Sequence, residues 1–355
     1  MSFDVNDLGR RGRAGRLHVG LQKAVARMIA AIRPAPKLVL LLALSACAAI
    51  PFGIPKSRPG YPIVTSGVFA LPDGARLPYR VYPAVGASHA VILALHGYSD
   101  SRDGFKLFAA TMNPRGVTVI APDQSSFGAT RNRGHWPGTA TLVDEARDMA
   151  AIVHTQYPDQ PLTIMGESMG GAIAILLATA PNPPPAAGYV ISSPAIWGGA
   201  ALAPIDRFVL GIADATVPAK RLTGRSVTVH ASDNPHAIHD LGYDPLTILA
   251  PRVDAIAGLV QLMGAAQAAC ARLTARSLIL YAGHDELIPP EAMARCVKAL
   301  PANGDVTFSY YPNDYHLMER DLERAVPDSD ILAFMNNQGA VTSGPSLGTV
   351  FLAVQ

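Results

Sequence analysis

The sequence predicts an α/β fold, a mostly parallel central sheet with helices on both faces, and three observations predict it. Short, wholly apolar runs recur along the chain, among them AVILAL at Ala90–Leu95 and SLILY at Ser277–Tyr281. Strands apolar on both sides belong to sheets buried on both faces. Between these runs lie longer segments with apolar residues at helical spacing, such as Val143, Ala146, Met149, Ala150 and Val153. The composition agrees: the 355 residues are 49% hydrophobic and 16% charged, too apolar for a disordered chain. There is neither a glycine period nor a sustained heptad, which excludes a fibrous rod.

The elements follow in order. Ser66–Leu71 and Leu77–Tyr82 flank Pro72-Asp73-Gly74, a turn signal, and read as a hairpin. Ala90–Leu95 is a strand, Phe105–Met112 a short helix, Val117–Ala121 a strand and Leu142–His154 a helix. Leu162–Met165 is a strand and Gly170–Thr179 a helix of small residues. Tyr189–Ser192 and Ser277–Tyr281 are strands, Pro290–Leu300 a helix, and Val306–Tyr311 a strand. Leu317–Asn336 holds the last helix, expected to break at Pro327. Residues 338–355 are a tail whose Thr349–Val354 reads as loose chain or a small added strand. The core is thus 61–194 and 273–337. Residues 195–272 interrupt the alternation with helical stretches at Pro204–Ala213 and Arg252–Leu273, and an insertion of this length reads as a helical cap over a site.

Charge is unevenly spread. Residues 1–37 carry eight Lys/Arg against Asp4 and Asp7, so the rest is mildly acidic although the whole chain is +2. An acidic body argues against nucleic acid as a partner. Leu38–Ile50 is uncharged and thirteen residues long, too short to span a bilayer but the length of a signal-peptide core, with Arg33 and Lys37 before it. It ends Leu44-Ser45-Ala46-Cys47, which resembles the lipobox of bacterial lipoproteins. Residues 1–47 are therefore read as a leader, 48–60 as a linker, and Cys47 as the lipidated residue of an exported protein tethered to an envelope membrane, on the periplasmic side and at the outer membrane. Met28 offers a start that would give a leader of ordinary length, leaving residues 1–27 as an over-extended gene start or an amphipathic extension. Two further cysteines, Cys270 and Cys296, lie in a compartment that permits a disulfide; the sequence does not decide whether they pair, and buried free thiols are the commoner state.

The chemistry concentrates at Gly166-Glu167-Ser168-Met169-Gly170, a G-x-S-x-G run between an apolar strand and a small-residue helix. A sharp strand-to-helix turn lifts the hydroxyl of Ser168 clear of the sheet at a helix N-terminus, and the elbow glycines Gly166 and Gly170 leave room for the bend. A serine hydroxyl needs a base. Of ten histidines, His316 follows the last apolar strand, whereas His230, His236 and His239 lie in the cap and His135 in a loop near the expected mouth. Asp285, at the end of the strand Ser277–Tyr281, suits the acid that orients the base, with Glu286 as the fallback.

With these residues in view, Gly60–Asn337 resembles the α/β-hydrolase superfamily, and within it monoacylglycerol lipases and lysophospholipases. The resemblance rests on His96-Gly97-Tyr98, on Gly166–Gly171, on Gly283-His284-Asp285-Glu286-Leu287-Ile288-Pro289 and on His316. It implies the α/β-hydrolase fold, a Ser168–His316–Asp285 triad, an oxyanion hole from the backbone N–H groups of Tyr98 and Met169, and a structural role for His96. The chain departs from the branch at Asp123-Gln124-Ser125-Ser126-Phe127-Gly128, so the family's head-group contacts do not carry over. The expected function is a serine carboxylester hydrolase acting on lipid esters such as lysophospholipids or monoacylglycerols. A small-ester esterase or an acyltransferase would use the same triad, and a silent lipid- or partner-binding lipoprotein would use none of it. No cofactor is expected, and no metal, since there is no His-x-x-x-His with a carboxylate partner.

Overall fold

The computed structural model describes residues 64–198, 204–222, 229–337, 348–349 and 351–353. The leader, Met28, Cys47, the linker to residue 60 and most of the tail lie outside the described residues. Eight strands form one sheet: β1 (Thr65–Ala70), β2 (Arg76–Tyr82), β3 (Ala90–Leu95), β4 (Val117–Pro122), β5 (Leu162–Glu167), β6 (Gly188–Ser192), β7 (Ser277–Ala282) and β8 (Val306–Tyr311). Their spatial order is β1-β2-β4-β3-β5-β6-β7-β8. The hairpin β1–β2 adds antiparallel to β4, and every other pair is parallel.

Alternation along each strand divides the core. Val91, Leu93 and Leu95 of β3 belong to one apolar layer, Ala90, Ile92 and Ala94 to the other. The first layer is covered by α2 (Thr139–Gln156), α3 (Met169–Ala178), α6 (Val253–Ala269) and α7 (Pro290–Ala299), and the second by α1 (Lys106–Met112) and α8 (Ala325–Met335). Both faces of the central strands β3–β7 are dry, which is why these strands read as unbroken apolar runs rather than alternating ones. The order also creates a switch point. From β3 the chain moves outward to β4, then returns to pair β5 on the other side of β3. The carboxyl ends of β3 and β5 therefore open on a crevice that no crossover covers, the usual ligand position in an open α/β sheet.

Three details differ from expectation, and a fourth decides a pairing that the sequence leaves open. The cap holds α4 (Pro204–Thr216) and α6 as expected, and also α5 (Pro235–Tyr243). Asn234 caps α5, accepting from the N–H groups of His236 and Ala237, with Pro235 at the first helical position. The break in the last helical stretch comes before Pro327, where a 3-10 turn (Met318–Arg320) is followed by α8. Pro327 lies in the first turn of α8, where an N–H has no acceptor within the helix and its loss is harmless. Residues 348–349 and 351–353 are helical, not a strand, and buried Phe351 sits among Tyr281, Tyr310 and Phe308. Finally, Cys270 and Cys296 form a disulfide with Cα atoms 5.4 Å apart. It joins the 3-10 turn after α6 to α7, tying the end of the cap to the core.

A crosslink across 26 residues limits the unfolded chain. Reduction, or Cys296→Ser, is expected to lower stability by about 3 kcal/mol, read as a shift in the urea midpoint at unchanged slope.

Candidate active site

Ser168 follows β5 and caps α3 with φ 54° and ψ −112°, a backbone conformation that side chains rarely adopt. Its neighbours hold it there. The Ser168 N–H donates to the Ser192 carbonyl at 2.9 Å, and the Ser168 carbonyl accepts from Ala172 and Ala195 at 3.0 and 2.9 Å. The bend requires main chain to lie against main chain. A Cβ on Gly166 would overlap the Gly170 carbonyl, and one on Gly170 the Leu95 carbonyl. Between Leu162 and Ile175 every residue is buried except Ser168, so the turn delivers one side chain out of an otherwise closed element.

The loop after β3 meets Ser168 from the other side of the switch point. A Cβ added to Gly97 would stand 3.3 Å from Ser168 Cβ, which puts the adjoining Tyr98 backbone beside the serine. Buried His96 orients this loop. Its Nδ1 donates to the Gly97 carbonyl at 2.8 Å and its Nε2 accepts from the Gln124 N–H at 3.1 Å. Burial lowers its pKa, so it serves as a neutral donor–acceptor pair. Met169 is the first residue of α3, and its N–H accordingly lacks an acceptor within the helix.

Asp285 follows β7 and His316 follows β8, and the two meet. His316 Nδ1 lies 2.8 Å from Asp285 Oδ2. The other carboxylate oxygen, Oδ1, accepts from the N–H groups of Leu287 and Ile288, both at 2.8 Å, which fixes the plane of the acid. Both side chains are buried. Burial alone would pull the His316 pKa down, but the charge of Asp285 and its hydrogen bond, with Glu167 and Glu319 beyond, outweigh it and leave the imidazole above the ordinary histidine value. Glu286, the fallback acid, turns instead to the cap, where it accepts from the His230 N–H at 3.0 Å and lies 3.2 Å from the ring Nδ1. His135 and His284 are exposed, His284 lying against the Tyr315 ring.

Ser168, the Gly97–Tyr98 loop, Asp285 and His316 thus all stand at the carboxyl edge of the sheet. Among the described residues no hydrogen bond joins the Ser168 hydroxyl to His316. Glu167 precedes the serine, and its charge favours the protonated form of the His316 ring.

Several residues of the site escape motif reading. The chain segment after His316 is docked on the cap: the Leu317 N–H donates to the Ala231 carbonyl at 2.8 Å, Ser232 Oγ donates to Asp321, and Asn234 Nδ2 donates to the Arg320 carbonyl at 2.8 Å. Asp321 also accepts from the Tyr315 N–H at 2.7 Å. The signal was a dense charged string, Glu319-Arg320-Asp321, which in isolation reads as a solvated turn. Asp123 and Gly128, in the divergent loop, have a structural part. Asp123 is fully buried, paired with Arg102, and accepts from the Ala129 N–H at 2.8 Å, while Gly128 leaves room for its carboxylate.

Three comparisons bear on this arrangement. A hydrolase family model, described as serine aminopeptidase S33, matches residues 86–323. A monoacylglycerol lipase of Mycolicibacterium smegmatis is 26% identical over 275 residues, covering 75% of this chain and 95% of that protein. The human monoglyceride lipase is 26% identical over 259 residues, covering 70% of this chain and 82% of that protein. In structure, the chain is similar to a soluble variant of the monoglyceride lipase of Saccharomyces cerevisiae, with a TM-score of 0.64, 17% identity, and 82% and 99% of the two chains covered.

Two outcomes test the geometry. Gly170→Ala is expected to destabilise the protein by about 3 kcal/mol, since backbone cannot yield as a side chain does, measured by thermal unfolding. Asp314, just before the histidine loop, is pushed up to about 7, chiefly by burial and then by the charges of Asp321, Glu323 and Asp233. Its protonated form is the one the fold prefers, so stability falls as the pH rises from about 4 through 7. Asp314→Asn should raise the melting temperature at pH 8 and leave it unchanged at pH 4.

Proposed function

The chain belongs to the serine aminopeptidase S33 family of serine hydrolases, and we propose that it is a carboxylester hydrolase acting on lipid esters of the monoacylglycerol or lysophospholipid type. The observation that carries the reading is the buried Asp285–His316 pair at the same sheet edge as the strained Ser168. In this reading Asp285 holds His316 with Nδ1 protonated, which leaves Nε2 to take the proton of Ser168 Oγ as that oxygen attacks the ester carbonyl. Catalytic hydrogen bonds of this kind commonly tighten only when substrate is bound. The tetrahedral oxyanion accepts from the N–H groups of Met169 and Tyr98, each contributing about 3–4 kcal/mol in the transition state. Collapse expels the alcohol, which takes the proton back from His316 Nε2. Water then attacks the acyl-enzyme, again giving its proton to Nε2; collapse breaks the acyl–Oγ bond, Ser168 Oγ takes that proton back, and the fatty acid is released.

A lipid ester, rather than a small soluble one, is favoured by the named activities of the two lipase relatives and by the apolar cap, where α4 exposes Phe208 and Ile212, and α5 exposes Ile238 and Tyr243. The second part of the proposal is location. The leader and the lipobox-like Leu44–Cys47 support export and tethering through Cys47 to an envelope membrane, and the Cys270–Cys296 disulfide is what an oxidising compartment allows.

A fluorophosphonate probe should label the wild type and not Ser168→Ala; labelling of the variant removes Ser168 as nucleophile. Turnover of a monoacylglycerol and of lysophosphatidylcholine should exceed that of a p-nitrophenyl acetate control, and an aminoacyl p-nitroanilide should not be cleaved. Because the base must be neutral and His316 titrates above 6.5, kcat/KM should rise with pH through an inflection above that value. Asp285→Asn should lower kcat about 10⁴-fold and move the inflection to lower pH. Cys47→Ser should shift the protein from the membrane to the soluble fraction.

A further inference from the structure

Arg320 stands four residues beyond His316, at the end of the 3-10 turn Met318–Arg320, and its side chain runs inward rather than to solvent, with 6% of it exposed. The guanidinium meets two carboxylates. It pairs with Asp100, and its Nη2 lies 3.1 and 3.3 Å from the two oxygens of Glu167. Asp100 belongs to the loop after β3, two residues past Tyr98. Glu167 is the last residue of β5 and precedes Ser168. Gly104 makes room for the arrangement, since a Cβ there would press on both Arg320 and Asp100. A third acid, Glu319, is buried beside Glu167 and pushed up to about 7, chiefly by burial and then by the charge of Glu167.

Buried ion clusters are weak contributors to stability, because each ion loses several kcal/mol of hydration. Something other than stability should therefore account for this one. Its three members come from the three segments that carry Tyr98, Ser168 and His316. An unpaired carboxylate at Glu167 would also oppose the negative charge that develops on a substrate carbonyl next to Ser168, and Arg320 offsets it. We propose that Arg320 is a positioning residue, which through Asp100 and Glu167 holds the oxyanion loop and the nucleophile turn in register with the His316 turn. It touches no reacting atom. The inference rests on the Ser168–His316–Asp285 reading, and it concerns how that site is assembled.

The test uses the full chain with p-nitrophenyl butyrate and fluorophosphonate labelling. Arg320→Met should lower kcat about 100-fold, with KM within about threefold and the labelling rate falling in parallel. Arg320→Lys keeps the charge but holds one partner less firmly, and should recover to within about 10-fold of the wild type. Arg320→Met leaves two carboxylates unpaired and can fail to fold, so it is paired with the neutral triple variant Arg320→Met, Glu167→Gln, Asp100→Asn. That variant should regain the wild-type melting temperature yet keep the low kcat. If it regains kcat together with stability, or if folded Arg320→Met turns over normally, the positioning role is overturned and the cluster is structural. Failure of the wild type to label at all overturns the triad itself, an outcome distinct from either.

Discussion

The structure depends on one close approach. At Gly170 the first turn of α3 lies on the carbonyl of Leu95 at the end of β3, and at Gly166 the end of β5 lies on Gly170 itself. Side chains beyond hydrogen at these positions would separate the helix from the sheet and relax the bend at Ser168. The same contact explains why the Gly97–Tyr98 loop lies so near the serine. β3 and β5 are neighbours at the switch point, with Leu95 paired to Gly166, and their following residues leave the sheet side by side. Packing in the apolar layers makes this contact possible, and the contact sets Ser168 beside the loop after β3.

Electrostatics at the carboxyl edge are a balance of opposing terms. Burial of His316 disfavours its charged form, and Asp285, Glu167 and Glu319 favour it. Burial pushes Glu167 up, and Arg320 pulls it down. His316 and Arg320 are tolerated here because each is paired with a carboxylate, while burial pushes Glu319 towards its neutral form. The cost of that arrangement is a site sensitive to the loss of any one member.

The cap insertion is fastened to the core beside the candidate site. Its segment from His230 to Asn234 contacts the loops that carry Asp285 and His316, through Glu286 on one side and Leu317, Arg320 and Asp321 on the other. Whatever displaces the cap also bears on the backbone on either side of His316. A second attachment, the Cys270–Cys296 disulfide, anchors the far end of the insertion to α7.

The sheet strands, the helix faces, the bend at Ser168 and the places of Asp285 and His316 after the last two strands were legible in the chain, because each leaves a local mark: an apolar run, a 3.6-residue spacing, two glycines around Ser168, an aspartate at a strand end. α5 was legible too, in Asn234-Pro235, but is short and set among loop residues. Three features left no such mark. Cys270 and Cys296 are far apart along the chain, and their pairing follows only from where α6 ends and α7 begins. Pro327 breaks a helix in its interior and is harmless in its first turn, so its effect depended on where α8 starts. Arg320, Glu167 and Asp100 are charged residues that any local reading assigns to the surface, and only the convergence of three loops buries them. The sequence alone determined the strands, most of the helices and the glycine-flanked turn at Ser168, since these depend on neighbours within a few residues. The tertiary structure decided which charges are buried and what they face, because burial and pairing are properties of segments that meet only when the sheet is assembled.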